Sequence, residues 1–126
     1  MKSKELKNNK DILVSKNQLY LYGYENYFIS FSNLYKKGLL PNNILISGKK
    51  GIGKSTFIYH FINFLLSKNE KHCYNAKNFN INENNLSYRQ LKNDIHPNLF
   101  IIEDNALNKD IKIEQIRNLL TFINKS

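Results

Sequence analysis

Cysteine is nearly absent. Cys73 stands alone, so no disulfide can close within the chain and no cysteine cluster can hold zinc. No apolar run approaches the ~20 residues that cross a bilayer. The N-terminus, Met1-Lys-Ser-Lys-Glu-Leu-Lys7, has neither an apolar h-region nor a small-residue cleavage site, which excludes a secretory signal. The cytoplasm is the expected compartment. Arginine is scarce too: Arg89 and Arg117 are the only two, and the positive charge behind a net +9 is almost wholly lysine spread among Asn and Ile. All three residue types have A/T-rich codons, so coding bias accounts for the composition. A dedicated nucleic-acid surface would favour arginine, with its bidentate fork. The charge therefore gives only weak support for an acidic or nucleic-acid partner.

What remains, 126 residues of ordinary apolar content, suffices for one domain with a modest core. Residues 1–18 are polar and lysine-rich and read as a lead-in; residues 19–126 carry the domain. Between Asn26 and Leu40, Tyr27, Phe28, Phe31, Leu34 and Tyr35 fall on one face of a helix that Gly38 and Pro41 stop. Asn43-Ile-Leu-Ile-Ser47 reads as a short, doubly buried strand of a parallel sheet. From Lys54 to Ser67 a second helix carries an apolar stripe of Phe57, Ile58, Phe61, Ile62, Leu65 and Leu66. Residues 68–93 are asparagine-rich and thinly apolar, and read as a surface excursion. After His96-Pro97, Leu99-Phe-Ile-Ile102 is a second strand candidate, and Ile113, Ile116, Leu119, Leu120 and Ile123 mark a last helix. This order predicts an α/β fold: the three-layer plan of a P-loop NTPase with a parallel sheet, incomplete.

The chemistry lies between the first strand candidate and the second helix. Gly48-Lys-Lys-Gly-Ile-Gly-Lys-Ser55 matches G-x-x-x-x-G-K-[ST] at every fixed position. Glycines let the backbone turn tightly and aim successive N–H groups at one point. Lys54 supplies a point charge for the β- and γ-phosphates, and Ser55 a hydroxyl for Mg2+. The helix that starts here adds unpaired N–H groups and its positive dipole end. The expected site is therefore Gly48, Lys49, Lys50, Gly51, Ile52, Gly53, Lys54, Ser55 and Thr56, taking ATP with Mg2+ on Ser55. A chance match in a chain of this length has odds of roughly a few in a thousand. Lys49 and Lys50 either reinforce phosphate binding or only raise solubility.

Hydrolysis normally needs a second acid at a strand end. Glu103 and Asp104 follow an apolar run, but acids also commonly open a solvated turn, and the residues alone leave both readings open. Among the rest, His60 reads as packed or surface-facing, His72 and Cys73 lack two further metal ligands, and Arg117 is either solvated or acts in trans. Tyr20–Tyr24 read as core packing, with an adenine pocket as the sharper alternative.

Four segments in order, Gly38-Leu-Leu-Pro41, Asn43 to Ser55, His96-Pro-Asn-Leu-Phe-Ile-Ile-Glu103 and Ile111-Lys-Ile-Glu-Gln-Ile-Arg117, resemble a known family. They look like the N-terminal part of the delta-prime subunits of bacterial DNA polymerase III, AAA+ proteins of the clamp loader; the gamma/tau subunits are similar. The likeness covers about residues 20–124. It implies an ATP-binding subunit of a hetero-oligomeric ring that helps place a sliding clamp on primed DNA during replication. It further implies that the Walker B strand, sensors, arginine finger, lid and collar lie beyond Ser126, that Glu103 and Asp104 are structural, and that this chain alone turns over little ATP. Many relatives carry a four-cysteine zinc module where this chain has only Cys73, and many delta-prime subunits have a degraded phosphate loop where this one is intact. The competing readings are a free-standing small P-loop NTPase or kinase using Glu103 or Asp104 with Mg2+, and a ring scaffold that holds nucleotide without turnover.

Overall fold

A computed structural model of the chain describes residues 14–102 and 113–124. Among the described residues the regular structure is four α-helices, α1 (Glu25–Lys36), α2 (Lys54–Leu66), α3 (Leu86–Lys92) and α4 (Ile113–Asn124), and a 3-10 turn at Ser15–Asn17. The chain divides into two compact units, Met1–Asp94 and Ile95–Ser126.

The parallel sheet expected from the sequence is not formed. Among the described residues there is no strand, and the only β-type pairings are two isolated antiparallel bridges, Tyr20 with Asn80 and Asn75 with Asn80. The α/β, parallel-sheet P-loop architecture is therefore corrected to a helical one. Short apolar runs do not report their own partners, and a strand exists only where a second segment supplies donors and acceptors. Asn43–Ser47 belongs to no ladder. Ile44 and Ile46 line an apolar groove of about 240 Å³ with Phe31, Phe57 and Phe61, while Leu45 between them is 92% exposed. One face of the segment is thus laid against helices, which is not the double burial of a central strand. Leu99–Ile102 likewise belongs to no strand, and Glu103, Asp104 and Ile111 lie outside the described residues.

Three of the helices, α1, α2 and α4, fall where the periodicities place them. α1 ends in a Schellman motif: Gly38 takes φ +69°, its N–H bonds Tyr35 O at 3.0 Å, and Leu39 N–H bonds Leu34 O at 2.9 Å. A side chain at Gly38 would be strained in that left-handed region. The core of the first unit is aromatic. Phe28 from α1 meets Phe61 and Phe64 of α2, and Tyr74 and Phe79 from the stretch beyond α2, with ring centroids 5.0–5.9 Å apart.

Residues 68–93, expected at the surface, contribute much of that core. Tyr74, Ile81, Tyr88 and Leu91 are buried, and α3 lies within this stretch. Backbone bonds stitch it to the N-terminal segment: Leu21 N–H to Phe79 O at 3.0 Å and Ile81 N–H to Leu19 O at 2.8 Å. A buried amide pair fixes it to α2. Asn85 is fully buried; its Oδ1 caps α3 through Tyr88 N–H at 2.8 Å and accepts from Asn63 Nδ2 at 3.2 Å. Its Nδ2 donates to Asn63 Oδ1 at 3.3 Å and to His72 O at 2.9 Å. Glu70 then receives Ser87 N–H at 3.0 Å and Ser87 Oγ–H at 2.5 Å, placing a carboxylate at the positive end of α3.

His60, on α2, is 0% exposed. Its Nε2 lies 2.8 Å from Gln18 O, a pure acceptor, so Nε2 carries the proton and Nδ1 accepts from Tyr74 O–H at 2.8 Å. Burial lowers its pKa from the ordinary 6.5, with the Gln18 bond working the other way, and burial pushes the Tyr74 phenol up. A histidine held neutral in the fold stabilises fully above the unfolded-state pKa and loses that contribution as pH falls from 6.5 toward and through the folded value. Stability should therefore decline below pH 6.5, by at most about 1.4 kcal/mol per pH unit from this group. Chemical melts from pH 8 to 5, with the His60 imidazole followed by NMR, check this; an imidazole titrating at 6.5 or above contradicts the assignment.

In the second unit α4 carries an exposed Arg117, and Phe122 packs on Phe100 at 5.3 Å. His96 is buried and its Nδ1 accepts from Asn98 N–H at 3.1 Å. No described helix is long and apolar enough to cross a membrane.

Candidate phosphate-binding site

The turn between Ser47 and α2 is shaped by two left-handed glycines, Gly51 at φ +86° and Gly53 at φ +92°. Gly53 is also the N-cap of α2, and its carbonyl receives the first helical bond, from Phe57 N–H at 3.1 Å. The first turn, Lys54-Ser-Thr56, therefore presents N–H groups that the helix itself cannot pair. No side chain caps them and no acid occupies the first turn. The charged residues beside this turn that line the cleft, Lys50 and Lys54, are both cationic.

These groups converge on one cleft of about 480 Å³, lined by Ser15, Lys50, Gly51, Gly53, Lys54, Ser55 and Thr56. Of the nine residues expected from the sequence, six line it. Gly48 and Ile52 instead shape the loop: Lys54 Nζ donates to Gly48 O at 2.5 Å, and a Cβ at Gly48 would come within 2.7 Å of Ile52 Cδ1. Lys49 is exposed and stands outside the lining. Ser15 is not among the residues expected from the sequence. It comes from the polar lead-in and reaches the cleft because Gln18, three residues on, is tied to His60 of α2. No local signal marks it.

A second cleft, of about 330 Å³, shares Gly53 and Thr56 with the first and is walled by Tyr20, Tyr22, Tyr24 and Ile52. Tyr20 and Tyr22 are exposed and stack at 6.3 Å, whereas Leu21 between them is buried. The Tyr20–Tyr24 segment is thus split: Leu21 packs into the core and the tyrosines form a wall.

A family model described as DNA polymerase III, delta subunit, matches residues 23–126. The chain belongs to that family. The match spans both glycine-bearing segments and α4, and it agrees with the resemblance to clamp-loader subunits drawn from the motifs. Comparison with curated proteins and with solved structures gives no match. Within this DNA polymerase III delta-family chain, no group of three or more His, Cys, Asp or Glu able to hold a metal occurs among the described residues. His72 and the exposed Cys73 accordingly gain no further ligands there.

Proposed function

We propose that this chain is an ATP-binding, delta-prime-like subunit of the DNA polymerase III clamp loader. In this reading Gly48–Ser55 takes the triphosphate tail and Ser55 contributes its hydroxyl to Mg2+. The observation that carries it is the convergence of two left-handed glycines, Lys50, Lys54 and the uncapped start of α2 on a single cleft. Backbone amides with a positive dipole end and one or two ammonium groups are what a polyphosphate needs. The fit is adequate in size, since pockets for ligands of this class run ~300–1,000 Å³. It is adequate for the metal too: Mg2+ keeps several waters and needs only one or two protein oxygens beside those of the phosphates. The tyrosine-walled cleft adjoining Gly53 supplies an apolar surface for the base. Family membership supports the wider assignment, in which the chain joins other subunits in a hetero-oligomeric ring and reaches the sliding clamp and primed DNA through that ring.

The test is titration calorimetry of the whole chain with ATP and with sodium tripolyphosphate, each with Mg2+. Saturable one-to-one binding of both is expected. Absence of heat with either, in a protein shown to be folded, overturns the reading.

A further inference from the structure

Tyr24 sits 28 residues before Ile52, yet its phenol O–H donates to Ile52 O. That carbonyl belongs to the Ile52–Gly53 peptide, at the second of the two glycines that set the loop, Gly51 and Gly53. The ring of Tyr24 also lies against Gly53, its Cε2 3.3 Å from where a Cβ would stand. Tyr24 is itself held: it caps α1, its carbonyl accepts from Phe28 N–H at 2.9 Å, and its ring packs on Phe57 at 5.8 Å and Tyr27 at 6.2 Å.

We propose that Tyr24 is a positioning residue that holds the phosphate loop in its anion-receiving form before any ligand arrives. The proposal rests on the reading of Gly48–Ser55 as the phosphate site. Its physical basis is the rigidity of one peptide and the looseness of its neighbours. A trans peptide is planar, with C=O and N–H pointing in opposite directions, so anchoring Ile52 O to Tyr24 turns the Gly53 N–H away from Tyr24. Gly53 is the residue common to the tyrosine-walled cleft and the phosphate cleft, and Ile52 lines only the former. That peptide turns about ψ of Ile52 and φ of Gly53, and glycine populates both signs of φ about equally, so the Gly53 side offers little to stop a flip. A flip would exchange a donor for a carbonyl oxygen, which repels phosphate. The phenol removes that alternative, and the ring occupies the space on the far side of Gly53.

The test uses Tyr24→Phe in the whole chain, which deletes the hydroxyl and keeps the ring packing on Phe57 and Tyr27. Three readouts are taken: thermal melting, amide exchange of Gly51 to Lys54 without ligand, and calorimetry with Mg2+ and either ATP or tripolyphosphate. Melting is expected to stay within about 2 °C of the parent, because one partly exposed neutral hydrogen bond contributes little to global stability. Exchange at Gly53 should quicken, and affinity for both ligands should fall by the same factor, about three- to tenfold, the worth of one neutral hydrogen bond. Undiminished affinity overturns the proposal. So does a loss confined to ATP with tripolyphosphate unaffected, because the hydroxyl would then be reading the base. If the parent chain binds neither ligand, the phosphate-site reading fails by itself; the brace is then decided by exchange, and an unchanged Gly53 rate overturns it.

Discussion

Phe28→Ala is expected to lower unfolding stability by about 3–5 kcal/mol, the range for emptying a fully packed aromatic site. Phe28 is 1% exposed and meets four other rings in the core of the first unit. It stacks on Tyr74 at 5.0 Å and 22°, and meets Phe61, Phe64 and Phe79 edge-on. The lost transfer energy is joined by a cavity term, because the four neighbouring rings, two from α2 and two from the stretch beyond it, are held by their own packing and do not close on the void together. Against a total of about 5–15 kcal/mol for an ordinary domain, the loss is large enough to leave a measurable unfolded fraction at room temperature. Urea melts followed by circular dichroism read it directly. A shift below about 1 kcal/mol would mean that Phe28 does not hold the centre of the core.

The second large effect falls on binding. Lys54→Ala should weaken ATP at least tenfold, because a charge-assisted phosphate contact contributes roughly 1.5–3 kcal/mol. The fold should survive, since the Lys54 ammonium makes one hydrogen bond, to Gly48 O, and packs into no core. Titration calorimetry on the folded variant decides the matter; unchanged affinity would remove Lys54 from the site. An equal loss with tripolyphosphate would place the defect at the phosphates. Lys54→Arg is a poor rescue, because a planar fork replaces a compact point charge.

How legible this protein is from its sequence depends on whether the deciding contacts are local. α1 and α2 were readable because Phe28 and Phe31, and Phe57 and Phe61, recur at helical spacing, and the stop at Gly38 is set by that residue's own φ. The tight turn before α2 was readable because Gly51 and Gly53 take positive φ, a conformation that the residue type itself favours. Residues 68–93 were not readable as core. Their anchors are isolated aromatics and an Asn63–Asn85 amide pair, and a buried polar pair carries the same signal in sequence as two surface asparagines. His60 was equally silent, because its burial depends on Gln18 and Tyr74, 42 and 14 residues away.

By itself, then, the sequence determined where α1, α2 and α4 form, where α1 stops and where the glycine-rich turn before α2 falls, since each follows from interactions within a few residues. Only the tertiary structure decided that Asn43–Ser47 and Leu99–Ile102 form no strand among the described residues, that a polar stretch closes the core, and that Ser15 and Tyr24 reach the loop. Those outcomes depend on which distant segment supplies a partner, and spacing along the chain holds no record of that.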